Sequence, residues 1–85
     1  MRNYDAMSDE ELERYLRARA REIGTRRSER LEFRIEEHEG VWVAGYWTRK
    51  GVPRDLAPEG ARLLGADAST RHQALVDFAM LLEAE

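Results

Sequence analysis

Residues 31–48 (LEFRIEEHEGVWVAGYWT) constrain the fold of this chain more than any other stretch, because they read as two strands joined by a tight turn. In the first arm Leu31, Phe33 and Ile35 alternate with Glu32, Arg34 and Glu36, the period of two expected of a strand with one buried face. Glu39-Gly40 is the turn this spacing selects, since a two-residue hairpin loop needs left-handed backbone and glycine adopts it freely. Phe33 then faces Tyr46 and Ile35 faces Ala44, so the inner face holds Leu31, Phe33, Ile35, Trp42, Ala44 and Tyr46. A loop one residue longer would turn Val43, Gly45 and Trp47 inward and expose Trp42 and Tyr46 instead. The second arm is apolar on both sides. With Tyr46 inside, Val41, Val43 and Trp47 face outward, and that leftover face calls for a partner.

The flanking segments read as helices. Ser8 is an N-cap with Glu11 three residues on, a capping box, and Met7 with Leu12 can staple it. The first helix is expected over 8–24, with a stripe of Leu12, Tyr15, Leu16, the stem of Arg19, Ala20 and Ile23, and with Gly24 as its left-handed stop. Acidic residues crowd its start and arginines its end, matching the helix dipole. Residues 1–7 form a leader that frays unless Tyr4 packs down. A hairpin over 30–48 follows, then a Pro- and Gly-punctuated loop over 49–60 (RKGVPRDLAPEG), expected to be mobile. Residues 61–66 (ARLLGA) are expected as a third strand, although a single helical turn also fits them. Thr70 caps a last helix over 70–83, with Gln73 at its third position and Ala74, Leu75, Phe78, Ala79, Leu81 and Leu82 as its apolar face. The order α-β-β-β-α implies one α+β domain of two layers, a three-stranded antiparallel sheet with two helices on one face.

Composition narrows the class. Eighty-five residues allow one core near the size where stability is marginal, and no cysteine is present to staple it. With no apolar run approaching about 18 residues and no secretory leader pattern, a cytoplasmic protein is expected. His38 lies among Glu36, Glu37 and Glu39, but neighbouring strand residues point to opposite faces and do not converge on one ion. His72 falls in the first turn of the last helix, where a solvated or weakly capping role is usual. The serines sit at caps and loops, and no phosphate-cradling glycine loop occurs, so neither catalysis, cofactor nor metal is expected.

Two features address partners. The outward Val41, Val43 and Trp47, with Arg49, Lys50 and Arg54 of the following loop as a charged rim, form the candidate protein-binding surface and favour a homodimer. Residues 14–34 are locally basic, and Arg19, Arg26, Arg27 and Arg30 are the candidate nucleic-acid contacts. Against them stand a net charge of −3 for the chain and the ordinary role of arginines as a solvated helix face.

Two resemblances follow from these residues. The order α-β-β-β-α, closing in a helix that begins STRHQA, is similar in topology to the double-stranded RNA-binding domain. That family opens its last helix with paired lysines that grip phosphates, where this chain has Thr70, Arg71 and His72. Over residues 33–82, FRIEEHEGVWVAGYW and GADASTRHQALVDFAMLLE resemble the HicB-like antitoxin domain: a strand, a Gly turn, an aromatic-Val-Ala strand and a helix entered through a Thr-x-x-Gln-Ala cap. Gly40, Trp42, Val43, Ala44, Thr70, Gln73, Ala74 and Leu75 carry it. The chain departs from that pattern by prefixing a helix. The resemblance implies a small non-catalytic regulatory module that dimerises or covers a partner protein; the alternative is an RNA-binding module using residues 14–34.

Overall fold

The computed structural model describes residues 3–28, 30–48 and 61–83, with the main chain alone for 61–64. A short 3-10 turn, Tyr4–Ala6, leads into α1 (Asp9–Arg27); then come β1 (Glu32–His38), β2 (Val41–Thr48), β3 (Ala61–Ala68) and α2 (Arg71–Glu83). The three strands form one antiparallel sheet in the order β1-β2-β3. The fold is α+β, α-β-β-β-α, with both helices on one face.

The hairpin takes the register in which Phe33 pairs with Tyr46 and Ile35 with Ala44. Glu39 and Gly40 have φ of 52° and 83°, and left-handed backbone at both central positions is the turn that matches the twist of adjoining strands. Pairing fixes which side chains meet the helices. Phe33, Ala44 and Tyr46 are buried, while Leu31, Ile35 and Trp42 pack against the same core. Rings of Phe33, Tyr46 and Phe78 cluster there, with Tyr46 edge-on to Phe78 at 4.7 Å between centroids and Phe33 stacked on Phe78 at 6.4 Å.

The capping box at Ser8 forms in full: Ser8 Oγ accepts from the Glu11 N–H, and Glu11 Oε1 accepts from the Ser8 N–H. The other end of α1 differs from the sequence reading. Gly24 does not stop the helix; it is buried within it, and α1 runs on to Arg27, where Ser28 takes the left-handed cap conformation (φ 55°, ψ 39°) and donates its N–H back to the helix. Gly24 completes a four-residue spacing of buried positions, Leu12, Leu16, Ala20 and Gly24, that shrinks toward the C-terminus. A small residue there is as much a close-packing feature as a stop.

The third element is the expected strand rather than the alternative helical turn, and it runs two residues beyond Ala66 to Ala68. A register shift between Tyr46 and Trp47 in the β2–β3 pairing leaves one extra residue on β3. At α2 the Gln73 N–H donates to Thr70 Oγ1, but the Gln73 side chain turns forward to Asp77 rather than back, so the second capping box is half formed.

The Tyr4–Ala6 turn is tied down. Tyr4 is 3% exposed, and its hydroxyl donates to Glu83 Oε1 at 2.8 Å and lies 3.3 Å from the Tyr15 hydroxyl. Burial, then these two partners, pushes the Tyr4 phenol above its ordinary titration range.

Candidate functional site

The outer face of the sheet is the surface neither helix covers. Strand alternation puts Val41, Val43, Gly45 and Trp47 of β2 on it, beside Glu32, Arg34, Glu36 and His38 of β1. On β3 Gly65 and Asp67 share the face, because Gly65 pairs with Gly45 and Asp67 with Val43. Two glycines side by side leave the middle of the face without side chains. Arg34, opposite Gly45 in the ladder, leans its guanidinium over the ring of Trp47 at 5.7 Å from a centroid and pairs with Glu32 at 3.2 Å. Trp47, under that guanidinium, and Val43 are half-buried, whereas Val41 is 44% exposed. The two-sided apolar character read from β2 is therefore present, with Trp47 partly shielded by a cation from its own sheet. Arg49, Lys50 and Arg54, the proposed rim, lie outside the described residues with the whole of 49–60.

The arginines proposed for nucleic acid are not equivalent. Arg19, half-buried on α1, pairs with Glu22 at 2.6 Å, which commits its charge locally. Arg26, Arg27 and Arg30 are exposed at the end of α1 and just beyond it. Arg17 pairs with Glu13 and sits over the Phe33 ring at 5.2 Å, covering the edge of the core.

A polar junction that sequence reasoning missed joins the starts of the two helices. Arg71 bridges two carboxylates of α1, Asp9 at 2.6 Å and Glu13 at 2.5 Å. His72, expected in a solvated or weakly capping role, places Nδ1 2.8 Å from Asp9 Oδ1 and Nε2 3.2 Å from the main-chain oxygen of Asp5. Both partners only accept, so the ring meets them best with both nitrogens protonated, and its pKa is raised, first by the Asp9 hydrogen bond. Asp9 is correspondingly held below the usual carboxylate range, first by His72 and, after an opposing desolvation, by Arg71. The sequence signal was limited to opposite charges at two capped helix starts more than sixty residues apart. With Arg71 engaged in this way, the start of α2 is not a free phosphate grip.

Among the described residues no group of three or more His, Cys, Asp or Glu could hold a metal ion; His38 pairs with Glu36 alone at 3.0 Å. No helix among them is long and apolar enough to cross a membrane. No family model, curated protein or solved structure matches the chain.

Proposed function

We propose that this chain is a small non-catalytic interaction module that self-associates through the outer face of its sheet, in the manner the HicB-like resemblance implies. The observation that carries the reading is the outward row Val41, Val43 and Trp47 on the central strand, flanked by charges of both signs, Glu32, Arg34, Glu36 and Asp67. An apolar centre within a charged margin is ordinary interface anatomy. A two-fold contact would place like surface on like surface, and the mixture of signs allows that without net repulsion.

Size sets the strength. Three strands about 4.8 Å apart and seven or eight residues long present a patch of roughly 15 by 25 Å, well below the ~800 Å² per partner of a standard interface. Self-association in the micromolar range follows. Val43→Glu adds a charge outside the core, so it should leave the fold intact and abolish self-association in light scattering at tens of micromolar. A folded variant that still associates like the parent removes the sheet face from the account. Capture of a dissimilar protein by the monomeric parent would point to the partner-covering form of the same module.

A further inference from the structure

We infer that the end of the molecule where α1 exits toward β1 binds the phosphodiester backbone of nucleic acid, through Arg26, Arg27 and Arg30 with Arg21 one to two turns behind them. This surface is separate from the sheet face and does not depend on its self-association.

The fold separates charge along the molecule. Asp9 at the start of α1 touches Arg71, which follows the end of β3, and the end of β3 pairs beside the Glu39-Gly40 turn. The acidic start of α1 (Asp9, Glu10, Glu11) and the acidic hairpin tip (Glu36, Glu37, Glu39) thus lie at one end. Arg26, Arg27 and Arg30 lie at the other. A helix of 19 residues puts about 27 Å between its first and last residues, against a Debye length of about 8 Å at physiological salt. The net charge of −3, which argues against anion binding when read from composition, therefore says little about the field at the basic end.

Residues 14–30 hold seven arginines against Glu22 and Glu29. Glu22 is taken by Arg19 and Glu13 by Arg17 and Arg71, whereas Arg21, Arg26, Arg27 and Arg30 are exposed. The cations are all guanidinium groups, whose planar fork matches phosphate oxygens in pairs. The surroundings decide between anionic partners. Val41 and Met80 are the exposed large hydrophobic residues among those described, and neither lies on α1 or its exit. A protein partner or a membrane surface would call for an apolar centre or an inserting side chain. A phosphate backbone calls for neither, and contacts of this kind position a chain without reading its sequence.

The test is fluorescence anisotropy with a labelled single-stranded RNA of about 20 nucleotides, titrated with the full chain across a salt series from about 50 to 300 mM. Log affinity should fall linearly with log salt. The variant Arg26→Gln, Arg27→Gln, Arg30→Gln should lower the slope by about 2, since each backbone contact on a single strand contributes ~0.7. The matching triple Lys variant should retain the slope while binding more weakly, and Arg19→Gln should leave the slope unchanged. Melting curves of the variants confirm that the fold is kept. Absence of RNA binding by the parent at the lowest salt overturns the inference, as does a slope that the triple Gln variant leaves unchanged. Binding of phosphatidylserine vesicles, or of a polyglutamate peptide, without binding of RNA also overturns it.

Discussion

The Tyr46 phenol, on the central strand, donates a hydrogen bond to the main-chain carbonyl of Leu16 in the middle of α1. One side chain thus fixes the height of a helix over a sheet, and its ring simultaneously packs edge-on to Phe33 and Phe78. Burial pushes its hydroxyl above the ordinary tyrosine range.

Tyr46→Ala should destabilise the fold by about 3–5 kcal/mol, the range for a large aromatic removed from a core, while Tyr46→Phe, which loses one hydrogen bond, should cost about 1 kcal/mol. Trp47→Ala, one residue along and on the opposite face, should cost clearly less in folding and weaken self-association about tenfold. Urea melts and concentration-dependent scattering measure the two effects. Equal folding costs for Tyr46→Ala and Trp47→Ala would contradict the division of the strand into a core face and a contact face.

The junction of His72 with Asp9 and Asp5 predicts a pH window for stability. His72 has a folded pKa above its ordinary 6.5, so its contribution is complete below 6.5 and disappears as pH rises through the folded value. Asp9 has a folded pKa below its ordinary 3.8, so its contribution is complete above 3.8 and disappears as pH falls through the folded value. Both are in place between those limits, beside the ion pair of Arg71 with Glu13. Thermal melts should show stability declining above pH 6.5 in the parent and a flatter profile in His72→Gln. Identical profiles above pH 6.5 would mean that the ring makes no such contact in solution.

Tyr4 makes the turn ahead of α1 part of the fold. Tyr4→Ala should cost about 3 kcal/mol, because the side chain lies in the core although it sits near the start of the chain. Tyr4→Phe isolates the hydroxyl's contacts with Glu83 and Tyr15 and should cost about 1 kcal/mol. A Tyr4→Ala loss below about 0.5 kcal/mol, the level of an ordinary surface substitution, would show that Tyr4 is not packed.

What the sequence discloses here is mostly local. Glu39-Gly40 and the alternation of Phe33 and Ile35 determine the hairpin register, because a slip of one residue would turn Val43, Gly45 and Trp47 inward in place of Trp42, Ala44 and Tyr46. Ser8 with Glu11 marks a helix start through contacts three residues apart. The end of α1 is not legible locally, because glycine is both a helix stop and the smallest packing surface, and only the tertiary setting of Gly24 distinguishes the two. The Arg71 and His72 junction depends on contacts from the far end of the chain, which no local pattern encodes. The outward placement of Val43 and Trp47 follows from periodicity, but the shielding of Trp47 by Arg34 needs the side-chain-free Gly45 opposite Arg34 in the neighbouring strand.

The most direct measurement of the central claim is sedimentation equilibrium of the unmodified chain from a few micromolar to about 100 micromolar, bracketing the affinity a patch of this size supports. The weight-average mass should rise from 9.9 kDa toward twice that value and level there, as a closed two-fold contact requires. A mass that stays at 9.9 kDa throughout contradicts self-association through the sheet, and one that climbs without a plateau contradicts a closed dimer.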